Sequence, residues 1–166
     1  RDTLIRQVFS SAVRVDGSSI QILLGKAGLT DLDMYRYTPM LLSMILSTVS
    51  QLSAMTPPPQ LILLDAVLDD NLLSDSGGVA LCSMLVRVLQ SSSPILRVRL
   101  LDLTFNAIAD QTCIALGHLL KAQAELPPTQ SGGGAELSMD LRVSYNSITA
   151  AGAGALISLS RSILRS

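Results

Sequence analysis

Three asparagines, Asn71, Asn106 and Asn146, stand in the same apolar frame, and no other property of this sequence restricts its fold as much. Five positions before them come Ala66, Leu101 and Leu141, and three before come Leu68, Leu103 and Val143. Two after them come Leu73, Ile108 and Ile148, and ten after come Leu81, Leu116 and Leu156. Ahead of each asparagine the apolar positions lie two apart, the period of a strand with one buried face. Beyond it they change to helical spacing, as in Leu81, Met84, Leu85, Val88 and Leu89, or Leu116, Leu119 and Leu120. Strand, bend and helix repeated in this way predict parallel strands joined by helical crossovers. The asparagine has a physical purpose at the bend. Where the chain turns inward its backbone groups lose water, and one side-chain amide offers them both donors and an acceptor.

A fourth, degraded copy is legible upstream if Ala27 takes the asparagine's place. Ile22, Leu24 and Leu29 then fall into the columns, and Gly25 and Gly28 suit a tight bend. A helix should follow from about Asp33 to Ala54, with Leu42, Ile45, Leu46, Val49 and Leu52 facing inward. The opening run Leu4, Ile5, Val8, Phe9, Ala12 and Val13 has helical spacing as well. The asparagines are 35 and then 40 positions apart, and the longer interval holds Pro127-Pro128 and Gly132-Gly133-Gly134. That stretch is expected to be a mobile surface loop between a helix and the next strand. Pro57 to Gln60 does the same one copy earlier, more stiffly. The columns resume directly after each, so the sequence predicts one domain over 1–166. It divides into a cap or the helix of a preceding repeat (1–19), a degraded repeat (20–56), and repeats at 57–94, 95–134 and 135–166.

The stretches Leu101-Asp-Leu-Thr-Phe-Asn106-Ala-Ile-Ala-Asp110 and Leu141-Arg-Val-Ser-Tyr-Asn146-Ser-Ile-Thr-Ala-Ala-Gly152 resemble leucine-rich repeats of the ribonuclease-inhibitor class. That class also occurs in Ran GTPase-activating proteins, NOD-like receptors, tropomodulins and ciliary dynein-regulatory subunits. The resemblance spans Leu61 to Leu164, and more thinly Ile20 to Ala54. It implies an α/β fold, a right-handed leucine-rich-repeat solenoid of about four repeats, with short parallel strands on the concave face and helices on the convex face. Two departures stand out. The family's helix-start glycine is kept as Gly77 and Gly152 but is Thr112 in the middle copy, and the repeats are longer and less regular than in uniform members. The motif speaks for a fold and hardly at all for a function.

Composition narrows the function classes. The chain is 48% hydrophobic, 15% charged and 3% aromatic, with no Trp, so Leu, Ile, Val, Met and Ala must fill the core in thin layers. A net charge of −1, with twelve scattered Lys and Arg of which only Arg97 and Arg99 sit close, gives no electrostatic case for nucleic acid. Cys82 and Cys113 are too few for a disulfide framework, lie in Ala/Leu-rich helical stretches and are expected as buried free thiols, which favours a reducing compartment. From Tyr37 to Leu64 there is no charged residue, but Pro39 and Pro57-Pro58-Pro59 bracket the apolar part, and Ser43, Ser47, Thr48, Ser50, Gln51 and Ser53 interrupt it. A solenoid helix is expected there, with no membrane insertion. The chain begins with Arg1 and lacks a leader pattern, so a piece of something longer is expected.

No constellation for catalysis is legible. His118 is the one histidine, and no Cys/His spacing suits a metal. Neither Gly132-Gly133-Gly134 nor Gly25-Lys26-Ala27-Gly28 continues as a phosphate loop. Among the carboxylates, Asp69 and Asp70 sit at a turn, while Asp75 and Asp110 precede helix starts, where acids cap free N–H groups and suit the dipole. Residues alternating with the buried columns should line the exposed strand face: Gln21 and Leu23, Asp65 and Val67, Leu100 and Asp102, Asp140 and Arg142, with Arg99 beside them. This mixed, mildly acidic strip suits a protein partner with basic contacts. The function expected is a non-enzymatic interaction or scaffolding module, without cofactor or metal, within a larger intracellular assembly, cytoplasmic or cytoskeletal. The other reading, drawn from the resemblance, is a regulator of a small GTPase or of actin.

Overall fold

The computed structural model describes residues 1–91, 95–128 and 138–163; the glycine-rich part of the expected loop, 132–134, and Leu164 lie outside them. Strand and helix alternate in an α/β arrangement: α1 (Asp2–Ser10), β1 (Val13–Asp16), β2 (Ser19–Leu23), α2 (Asp31–Ser53), β3 (Ile62–Val67), α3 (Asp75–Ser91), β4 (Leu96–Asp102), α4 (Asp110–Ala124), β5 (Asp140–Arg142) and α5 (Ala150–Ile163). The five strands form one sheet in chain order. β1 and β2 pair antiparallel as a hairpin turned at Gly17, and every later pair is parallel. The helices follow the same order, α2 packing on α3, α3 on α4 and α4 on α5.

The apolar columns meet side by side. Ile22 pairs with Ala66, Ala66 with Leu101 and Leu101 with Leu141, which places Ala27 in the asparagine column as expected. Ile20, Ile22 and Leu24, then Leu64, Ala66 and Leu68, then Leu101 and Leu103 are all buried and share one core with the inward helix residues. At the amino-terminal end α1 buries Ile5 and Phe9, and the Phe9 ring stacks on Tyr37 at 5.1 Å.

Each asparagine does its work across two turns. Asn71 Nδ2 donates to Leu68 O at 3.0 Å in its own turn and to Leu24 O at 2.9 Å in the turn before. Its Oδ1 accepts from Leu29 N–H at 2.9 Å. Asn106 repeats this with Leu103 O, Leu68 O and Leu73 N–H, and Asn146 with Val143 O, Leu103 O and Ile108 N–H. The ladder points toward the amino terminus. Ala27 can therefore lack an amide, because the strand before it is antiparallel and offers no matching corner.

A second ladder corrects an expectation. Asp75 and Asp110 were expected to cap the helices they precede, but each is the first residue of its helix and its carboxylate turns to the next one. Asp75 accepts from Ala109 N–H, Thr112 N–H and Thr112 Oγ1–H at the start of α4; Asp110 accepts from Thr149 N–H and Thr149 Oγ1–H ahead of α5. Asp31, which the sequence did not single out, serves α3 through Ser74 and Gly77 N–H. The physical reason is reach: adjacent helix starts lie side by side, so a carboxylate meets the free N–H groups of its neighbour.

The helix-start glycines follow from this ladder. A Cβ on Gly77 would lie 2.5 Å from Asp31 Oδ1, and one on Gly152 would lie 2.2 Å from Asp110 Oδ1. Thr112 holds that position in the middle copy by turning the approach into a hydrogen bond, Oγ1 to Asp75 Oδ1 at 2.7 Å. The long helix α2 starts two residues earlier than expected, at Asp31, on a capping box between Thr30 and Asp33. It runs through Pro39, within the span expected from Asp33 to Ala54. Pro39 cannot donate to the Tyr35 carbonyl, and both residues lie on the exposed side of the helix.

Candidate functional site

The strand face comes together as the alternation predicts. Gln21, Asp65, Leu100 and Asp140 are lateral partners in one row, and Leu23, Val67, Asp102 and Arg142 form the next. Asp65 is the exception in exposure: only 7% of it is exposed, and Arg99 lies against it. Arg99 Nε donates to Asp65 Oδ1 at 2.9 Å and Nη2 donates to Oδ2, a two-point clamp that raises the guanidinium pKa. Arg99 can do this because the ladder slips there: Leu64 pairs with Val98 but Asp65 with Leu100. The extra residue is a bulge, which keeps Leu96 and Val98 on the core side although they break the two-residue alternation. Arg142 lies between carboxylates, 2.8 Å from Asp140 Oδ2 and 3.7 Å from Asp102 Oδ2, and the Asp140 bond raises its pKa first. Most of this strip's charge is thus paired within it.

The corner that ends each strand adds a feature the alternation did not reveal. Lys26, Asp70, Phe105 and Tyr145 each immediately precede the asparagine column, and all four hold left-handed backbone, with φ of 53 to 56°. Asp enters this region readily, while a bulky side chain there pays roughly 1–2 kcal/mol. Phe105 and Tyr145 nevertheless occupy it, 52% and 73% exposed, with their rings parallel to within 4° and centroids 4.2 Å apart. The backbone fixes their spacing: Asp70 N–H donates to Thr104 O at 2.9 Å, and Phe105 N–H to Ser144 O at 3.0 Å. The signal for this pair was present in sequence as an aromatic before two successive column asparagines.

The remaining candidates lie apart from the strip. His118 is exposed on α4. Cys82 and Cys113 are free and buried, and burial pushes the Cys82 thiol up to about 12. Among the described residues no group of three or more His, Cys, Asp and Glu could hold a metal ion, and no helix is long and apolar enough to cross a membrane. Gly25-Lys26-Ala27-Gly28 forms the first corner, where a Cβ on Gly25 would lie 2.1 Å from Asp69 Oδ1 and require that carboxylate to move.

Compared with known proteins, the chain matches no family model, and no curated protein matches it.

Proposed function

We propose that this chain is a leucine-rich-repeat solenoid of the ribonuclease-inhibitor class, serving as a non-enzymatic protein-binding or scaffolding module in a larger intracellular protein or assembly. The observation that carries the reading is the strand face: two straight rows, from Gln21 to Asp140 and from Leu23 to Arg142, cross the parallel turns outside the core. Such rows present side chains at fixed strand spacing with little conformational freedom left to lose, which favours recognition of a partner surface. The asparagine ladder and the strand–corner–helix order support the solenoid. The two buried, unpaired cysteines favour a reducing setting.

The test is site-specific photo-cross-linking in cells, with the probe at Leu100 on the strand face or at His118 on the exposed side of α4. Capture of a discrete partner from Leu100, abolished by Val67→Arg, is the expected outcome. Capture from His118 alone, or from neither position, would overturn the proposal.

A further inference from the structure

We propose that the Phe105–Tyr145 ring pair, together with Asp69 and Asp70, is the docking site for a basic, extended segment of a partner protein, with Arg or Lys two residues from an aromatic or aliphatic side chain. This deepens the strand-face reading and rests on it.

Charge complementarity selects the occupant. Asp65 is clamped by Arg99, Asp102 and Asp140 share Arg142, Asp2 pairs with Arg36 and Asp33 with Arg1. Asp31, Asp75 and Asp110 are spent on helix starts. Among the described residues, Asp69 and Asp70 form no ion pair; Asp70 sits at the corner one strand away from Phe105, and the Asp69 carboxylate lies on its other side, over Gly25. An acidic partner would meet repulsion there, and a neutral one would leave both charges unused. The aromatic pair supplies the apolar half: two exposed faces held in line at a left-handed corner, able to take a cation or an apolar group on the ring surface.

Spacing selects the extended form. Adjacent strands lie about 4.8 Å apart, so the Asp70 corner is about 7 Å from the middle of the ring pair. Side chains two residues apart in an extended peptide stand about 7 Å apart on one face. A cation and an apolar side chain in that relation therefore reach both features together. Lys26, at the next corner beyond Asp70, bounds the acidic stretch on that side.

The experiment selects a display library of random decapeptides against the full chain, then repeats the selection against Phe105→Ala/Tyr145→Ala and Asp69→Asn/Asp70→Asn. These side chains project from the surface, and a thermal melt of each variant checks that it is folded. The expected result is enrichment of sequences with Arg or Lys two positions from an aromatic or aliphatic residue. Synthetic versions of those peptides should lose at least tenfold in affinity with either double variant, keep it with Asp16→Asn, and weaken as salt is raised. No enrichment, enrichment without the basic residue, or affinity unchanged in the variants would overturn the proposal. If Leu100 still cross-links a partner while those results fail, the strand-face reading stands and only this site is lost.

Discussion

At the scale of single residues, the corner asparagines and the helix-start positions are where substitutions should tell most. Asn71→Ala would strand Leu29 N–H, Ala27 N–H and the carbonyl of Leu24, while Leu68 O keeps the Asn106 amide. Each buried group left without a partner costs about 1–3 kcal/mol, so a loss of about 3 kcal/mol or more is expected in urea unfolding. Asn146→Ala should cost less, because water reaches the more open last corner. The helix starts hold a paired exchange. Ser74 and Thr149 supply a hydroxyl to the preceding carboxylate where Gly77 and Gly152 follow three residues on; in the middle copy Ala109 lacks the hydroxyl and Thr112 supplies it. Thr112→Gly alone should destabilise, and adding Ala109→Ser should recover part of the loss, with a coupling of about 1 kcal/mol in a double-mutant cycle. Cys82, with its thiol raised by burial, should resist alkylation in the native protein at pH 8 and react once the chain is unfolded in urea.

At the scale of elements, neighbours repair what each strand or helix leaves open. The Gln123 amide of α4 accepts from Val98 N–H at 2.7 Å and donates to Val98 O at 3.0 Å, satisfying a β4 residue upstream of the short β5 pairing. The carboxylates between helices make this mutual support depend on pH. Burial pushes the Asp75 carboxyl up, but bonds from the Thr112 hydroxyl and from three backbone N–H groups outweigh it and hold it below its usual value. The bond from the Thr149 hydroxyl, then its N–H, holds Asp110 below as well. A carboxyl depressed in the native state contributes stability that is whole above the unfolded pKa near 4 and is lost as pH falls through the lower native value. Stability measured by urea unfolding should therefore fall below about pH 4, and Asp75→Asn should flatten that fall while lowering stability at pH 7.

At the scale of the whole molecule, the two ends of the stack differ. The amino-terminal hairpin and α1 cover the first parallel turn, burying Phe9 and Ala12, whereas Leu141, Val143, Ile148 and Leu156 of the last turn are half-buried although their counterparts Leu101, Leu103, Ile108 and Leu116 are wholly buried. Because each turn leans on its neighbours, opening should begin at this less buried turn. Hydrogen exchange followed by mass spectrometry should show amides of β5 and α5 exchanging first, and those of β3, β4 and α3 last. Uniform protection across the turns would contradict this.

The repeat of apolar columns was readable directly, since a two-residue period that changes to helical spacing is a local property of the chain. The parallel strands β2 to β5, the place of Ala27 and the two alternating rows followed from it; the antiparallel strand β1, which begins at Val13 where the spacing read as helical, did not. Other features arise between residues some 30 to 45 positions apart. Asp31, Asp75 and Asp110 each serve the next helix, Arg99 bulges out to clamp Asp65, and Phe105 meets Tyr145. No local period carries that information. Sequence by itself determined which side of each element is apolar, because burial follows periodicity. Only tertiary structure decided which polar groups meet across turns, because a hydrogen bond depends on ångström-scale distances that exist only once neighbouring turns lie side by side.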